Sequence, residues 1–185
     1  MDNKTLSLSC GKKIDIYQNI FTLSEREFFM NFAFLSLYRI GKGTSEHNKF
    51  RNESFFTSYF SDTDDEKFQF NNSNAIKNIT KKFVKSSSWI NATHHGSFYS
   101  THTDHSVIST DKAQKITLLY CLNVFWDKEH GGEIMFNNSY GEKEIAVDFI
   151  PGQVIKFDST LGHRAAFSYG HIEPRYVYVC QYVKV

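Results

Sequence analysis

The chain has 185 residues, 41% hydrophobic and 22% charged, which fits one ordinary globular domain that buries a core without disulfide staples. Its formal charge is +1, from 21 Lys and Arg against 20 Asp and Glu, so the basic excess of a dedicated nucleic-acid binder is missing. Three cysteines are too few for a disulfide framework, and no apolar run reaches the length of a membrane span.

The opening stretch, MDNKTLSLSCGKKIDIY, carries no apolar signal core, from which a cytoplasmic location is expected. Ser24 and Glu27 have the spacing of a capping box, and Phe28, Phe29, Phe32, Phe34, Leu35 and Leu37 follow. Together they predict an amphipathic helix over Thr22 to Ile40, ended by Gly41 and Gly43. The polar text of 44–74, with SDTDDEK at its middle, reads as a loop anchored by Phe55, Phe56, Tyr59 and Phe60 and is a candidate lid. A second helix is expected from Ser73 to about Val84 on an apolar face of Ile76, Ile79, Phe83 and Val84.

After Ser86 the pattern changes to short strands. They are expected at Trp89–Thr93, Ser97–His102, Lys115–Val124, Glu133–Asn137, Glu144–Phe149, Gln153–Asp158, His163–Ser168 and Arg175–Val183. Gly131-Gly132, Gly141, Pro151-Gly152 and Gly170 supply turns between them. Many short strands at this spacing point to a barrel or jelly roll.

Seven of the eight histidines lie in this strand-rich half. Among them, His102-Thr103-Asp104 is followed by His163 about sixty residues on. Residues two apart in a strand share a face, so His102 and Asp104 are able to reach one ion, with His163 arriving from another strand. Two imidazoles and one carboxylate leave positions open on a metal, the donor set of a mononuclear non-haem Fe(II) site. Arg175 opens the last strand after Pro174, and its guanidinium would be a fixed fork for a carboxylate. Arg164, next to a ligand in a strand, is expected to face the other way, and His94, His95, His105, His130 and His171 read as solvated or peripheral.

The blocks YSTHTDH, LLYCLNVFWDKEHGGEIMF, PGQVIKFDSTLGHRAAFS and PRYVYVCQYV, in that order, resemble the prolyl-hydroxylase-type 2-oxoglutarate- and Fe(II)-dependent dioxygenases over about Trp89 to Val185. The resemblance implies a mainly β fold with flanking helices (α+β), a double-stranded β-helix (jelly-roll) core with N-terminal α-helices packed on it. It also implies one dioxygenase domain over 1–185, with 1–88 as helical support and loop and 89–185 as the core. By the same resemblance His102, Asp104 and His163 match the iron ligands, and Arg175 matches the residue that pairs with the far carboxylate of 2-oxoglutarate. Tyr99 matches a position that is often Tyr and lies in or near the active site, a candidate cosubstrate contact, and Cys121 stands where oxygen-sensing relatives carry a Tyr that touches 2-oxoglutarate, so the contact there is smaller or made otherwise. Asn91-Ala92-Thr93 likewise departs from the N-x-Tyr pattern, whereas the intact Asp104 disfavours the halogenating relatives.

The expected function is therefore hydroxylation of an unactivated C–H bond with Fe(II), 2-oxoglutarate and O2, with ascorbate admitted as a reductant. The substrate is a peptidyl residue or a small molecule such as an amino acid, with no nucleic acid or membrane as partner. Two rivals remain at this level: a cupin-like metal enzyme that does not use 2-oxoglutarate, and a non-catalytic binding module on the same fold. The sequence leaves the oligomeric state and the substrate open.

Overall fold

In chain order the elements are β1 (Asp2–Ser7), β2 (Lys13–Gln18), α1 (Leu23–Leu35), β3 (Arg39–Ile40), β4 (Phe55–Tyr59), α2 (Asp62–Phe68), α3 (Asn74–Ile79) and β5 (Phe83–Thr93). They continue with β6 (Lys115–Cys121), β7 (Ile134–Asn137), β8 (Lys143–Val147), β9 (Val154–Asp158), β10 (His163–Ala165) and β11 (Arg175–Lys184). The structure, a computed structural model, describes residues 2–40, 55–95, 100–104, 113–138, 141–169 and 173–185. Eight strands form the larger sheet in the order β1-β2-β9-β6-β11-β5-β4-β3, and three form the smaller one, β10-β7-β8. The pairings are antiparallel throughout. From β5 onward the chain passes back and forth between the sheets: after β5 in the larger one, His102 bridges to His163 of β10 in the smaller. It then takes β6 in the larger sheet, β7 and β8 in the smaller, β9 in the larger, β10 in the smaller and β11 in the larger. This alternation is the jelly roll expected from the sequence.

The two-residue period of β11 explains why one sheet serves two cores. Tyr176, Tyr178, Cys180 and Tyr182 face outward, into a cluster with Phe21, Phe29, Phe68 and Phe70 from the N-terminal part. Val177 and Val179 face inward, into a largely aliphatic core with Leu119, Ile134 and Ile155 between the sheets. In the outer cluster the Phe68 and Phe70 ring centroids lie 4.8 and 4.9 Å from that of Tyr178, within the range of favourable aromatic pairing.

The N-terminal half differs from its expected form. β1 and β2 extend the larger sheet beyond β9, and β3 and β4 extend it beyond β5, so 1–88 is sheet as well as helical support. Helix α1 starts where expected, but its capping box is Thr22 with Glu25 rather than Ser24 with Glu27: Thr22 is the N-cap, and the Glu25 carboxylate accepts from the Thr22 backbone N–H at 2.7 Å. It ends at Leu35 rather than Ile40, because Ser36 turns back on the last turn, its Oγ donating to the Phe32 carbonyl at 2.8 Å. Only Phe29 and Ala33 are buried on α1, while Phe28, Phe34, Leu35 and Leu37 are exposed. The apolar residues wrap more than one face; the Phe29–Ala33 stripe is buried, and Met30 and Phe32 pack partly buried beside it.

The acidic SDTDDEK stretch is helix α2, not loop. Ser61 and Asp64 form a reciprocal capping box, and Asp65 accepts from Ser88 Oγ and Tyr178 OH, both at 2.8 Å, and pairs with Lys85. The second expected helix is only Asn74–Ile79, because the chain turns at Thr80 and enters β5 at Phe83. Of the candidate lid, 55–74 is built from β4, α2, a 3-10 turn at Phe70–Asn72 and the start of α3. Residues 44–54, with Gly41 and Gly43, lie outside the described residues.

Candidate metal centre

The centre is built on one strand-to-strand bridge. His102 N–H donates to the His163 carbonyl at 3.0 Å, and His163 N–H returns the bond at 2.9 Å. Side chains of such an antiparallel pair stand on the same face, and the two imidazole centroids are 4.5 Å apart. Each ring is held by a backbone carbonyl two residues earlier: Nδ1 of His102 by Ser100 and Nδ1 of His163 by Leu161, both at 3.0 Å. Donation from Nδ1 leaves the Nε2 lone pair for a ligand, the orientation that metal-binding histidines need. Asp104 closes the group, with Oδ1 3.9 Å from His102 Nε2 and Oδ2 3.7 Å from His163 Nε2. The three donor atoms lie within 4.8 Å of one another, and among the described residues this is the one cluster of three such groups.

The surroundings set the charge states. His163 is buried, and desolvation pulls its pKa below the ordinary histidine value against the opposing pull of Asp104. The neutral, ligating form is thereby favoured. The carboxylate of Asp104 is oriented from β6: Thr117 Oγ1 donates to its Oδ2 at 2.7 Å, and Ser159 Oγ lies 3.0 Å from Thr117 Oγ1. Since the Thr117 proton is used on Asp104, Ser159 is the donor in the second bond. Gln181 Nε2 donates to the Asp104 backbone carbonyl at 3.4 Å, tying the turn to β11.

Arg175 enters the same cavity from the first residue of β11, buried at 5% exposure. Its Nη1 donates to the Gly132 carbonyl at 2.6 Å, and its guanidinium sits 5.2 Å from the Phe149 ring centroid. Gly131 and Gly132 both adopt positive φ, at 65° and 85°; a Cβ on Gly132 would come within 3.1 Å of Arg175 Cδ. The start of β11 is pinned by Asn123, whose side chain donates to the Pro174 carbonyl at 3.0 Å and accepts from Tyr176 N–H at 2.8 Å. The cavity, of about 60 Å³, is lined by the triad and Arg175 together with Trp89 and Asn91 of β5 and aliphatic residues of both sheets.

The structure thus brings together His102, Asp104, His163 and Arg175. Cys121 is fully buried in the inner core; burial pushes its thiol up to about 12, with Arg175 pulling the other way. Tyr99 and His105 lie outside the described residues, as do His47 and His171. His94 packs edge-on against Phe56, His95 Nδ1 lies 3.1 Å from the Ser168 carbonyl, and His130 packs on Trp126. Sequence reasoning missed Thr117, Ser159, Trp89 and Asn91. Thr117 had a signal, being a buried polar residue on the same face as Leu119 and Cys121 in a strand that is mostly apolar after Lys115.

The family model of the 2OG-Fe(II) oxygenase superfamily matches residues 88–180, half of the chain, and spans this whole cavity. The chain belongs to that superfamily. As a member it is an oxidoreductase that uses Fe(II), 2-oxoglutarate and O2. This oxygenase shares its fold with a prolyl hydroxylase of Trichoplax adhaerens solved with a hypoxia-inducible-factor peptide, at TM-score 0.69 and 16% identity, covering 92% of this chain and 83% of that one. A prolyl-4-hydroxylase of Pseudomonas putida superposes at TM-score 0.65 with 12% identity, covering 92% and 91%. A viral collagen prolyl hydroxylase of Paramecium bursaria Chlorella virus-1 does so at 0.61 with 15% identity, covering 96% and 100%. Comparison with curated proteins returns no match. Membership sets aside both rivals, the cupin-like enzyme without 2-oxoglutarate and the non-catalytic module. The donor set fits the family's metal: two imidazoles presenting Nε2 and one carboxylate, with no thiolate among them.

Proposed function

We propose that this oxygenase hydroxylates an unactivated C–H bond of a peptidyl residue or small molecule, with His102, Asp104 and His163 holding Fe(II) and Arg175 holding the far carboxylate of 2-oxoglutarate. The observation that carries the reading is convergence: two Nε2 lone pairs, a carboxylate and a buried guanidinium line one cavity. When bound, the metal supplies the site at which O2 and 2-oxoglutarate react, one oxygen atom passing into succinate and the other into the hydroxyl product, with CO2 released. The chain's own work is positional. Ser100 and Leu161 fix the imidazoles, Thr117 fixes the carboxylate, and Gly132 and Asn123 fix the guanidinium and its strand. His163, Asp104 and Arg175 sit on the buried side of the cavity, and His102, 45% exposed, stands on its solvent side. Tyr99 is a further cosubstrate contact in this proposal, while Cys121, fully buried behind the cavity lining, puts a small side chain where relatives carry a phenol and so leaves that contact to other groups.

The test is an anaerobic titration of the apoprotein with Fe(II) and then 2-oxoglutarate, followed by visible absorption. A weak charge-transfer band that saturates with one equivalent of each is expected, and folded, iron-loaded protein without the band would sink the assignment. Asp104→Ala should remove the band and the turnover while leaving the far-UV signature of the fold unchanged.

A further inference from the structure

We propose that Trp89, braced by Tyr59, is the specificity-determining residue of this site and selects an uncharged aliphatic group laid flat on its indole. The inference rests on the hydroxylase reading above and goes beyond it by choosing among substrates.

Trp89 lies on the cavity face of β5, paired in register with Val179 of β11 on one side and Tyr59 of β4 on the other. It lines the same cavity as the three proposed ligands. Its neighbour on β4, Tyr59, is 67% exposed and backs it, with ring centroids 6.2 Å apart. Apart from the ionisable groups, the remaining lining is Leu119, Ile134, Ala165, Val177 and Val179, with Asn91 the one polar side chain, its Oδ1 accepting from Thr57 Oγ1 at 2.9 Å.

Charge accounting decides what such a lining takes. Among the described residues lining the cavity, the ionisable groups are His102, Asp104, His163 and Arg175. Three are proposed for the metal, and Arg175 is proposed for the cosubstrate. A substrate ammonium or carboxylate carried into this space would find no described counter-charge, and an unpaired charge taken out of water loses orders of magnitude in affinity. An aliphatic group meets the opposite situation, with an indole plane and four branched side chains to pack against. The space is also small, about 60 Å³ without metal or cosubstrate, so a substrate group would pack at the mouth of the cavity with the rest of the substrate outside it.

The experiment measures stimulation of 2-oxoglutarate decarboxylation, as succinate formed, by N-acetyl, N-methylamide derivatives of Leu, Val, Pro, Lys and Glu and by the same amino acids uncapped. In the wild-type holoenzyme the capped aliphatic residues are expected to stimulate at least tenfold better than capped Lys, capped Glu or any free amino acid. Trp89→Ala should cut the preference for capped aliphatic over capped charged residues by tenfold or more, and Trp89→Phe should keep it within threefold. A merely structural role for Trp89 would lower all rates alike and leave that ratio standing, which would overturn the inference. Equal stimulation by free amino acids would overturn it as well, as would an enzyme that shows the Fe(II)·2-oxoglutarate band but responds to none of the capped aliphatic residues. Absence of the band itself overturns the hydroxylase reading, and the inference with it.

Discussion

The two faces of the larger sheet carry the same strands and do opposite work. On the outer face, Tyr178 and Tyr182 of β11 reach polar partners, with Asp65 and Asn71 accepting from their hydroxyls. Desolvation pushes both phenols above the ordinary tyrosine value, so they stay protonated as donors. Its polar groups are largely spent on one another and on docking α2. The inner face, one residue out of phase, is aliphatic apart from Arg175, and the imidazoles of His102 and His163 on the smaller sheet opposite it are held through Nδ1 so that both Nε2 atoms are left for a ligand. The lesson is that polarity alone does not mark the working face. What marks it is polar groups fixed from behind and turned toward a cavity.

Substitutions should separate the faces. The largest effect is expected from His163→Ala, which should abolish turnover and Fe(II) binding in the folded protein, measured by succinate release and metal titration. If turnover survives at normal rates, the inner face is not the working one. Phe68→Ala, on the outer face, should cost about 3–5 kcal/mol of stability in urea unfolding. Where the variant stays folded, it should bind iron as the wild type does. Arg175→Gln should raise the 2-oxoglutarate concentration needed for half-maximal turnover by roughly 10²-fold, because a buried charge partner is removed. Its Fe(II) affinity should remain close to wild type. Thr117→Val removes the bond to Asp104 while keeping the side-chain shape, and should cost roughly 10–100-fold in metal affinity or activity.

The smallest signal is chemical. Each face hides one thiol: Cys121 within, raised to about 12, and Cys180 without, raised to about 11, in both cases chiefly by burial. Thiolate is the reactive form, and at pH 8 both groups are almost wholly protonated. A thiol-reactive disulfide reagent should therefore titrate one group per native chain, the exposed Cys10, and three after unfolding. Two fast-reacting thiols in the native state would mean that one face opens.

Legibility followed the range of the physical signal. The His102–Asp104 pair and Arg175 at a strand start could be read because a strand's two-residue period is local. The alternation in RYVYVCQYV announced β11 for the same reason. Helix α1 was found but its ends and buried face were misjudged, since an all-round apolar helix does not say which stripe the sheet will cover. SDTDDEK was read as solvated because charge normally seeks water. Asp65 is held instead by Ser88, Tyr178 and Lys85, all distant in sequence. The strands β1 to β4 escaped notice because the segments are short or polar, and because β2 and β4 join the sheet through β9 and β5, which lie far along the chain.

The sequence by itself determined the nearly neutral composition, the jelly-roll class and the residues proposed for metal and cosubstrate. Each rests on local period, residue chemistry or ordered motif blocks. The lopsided histidines acquire meaning only in three dimensions. One hydrogen-bonded bridge between His102 and His163 fixes both rings on one face, while Thr117 and Ser159, from β6 and the turn after β9, aim the carboxylate between them. Tertiary structure also decided that Trp89 lines the cavity and that the acidic helix docks on the far side. Those placements depend on which strands become neighbours, a choice settled by burying whole faces rather than by any one segment.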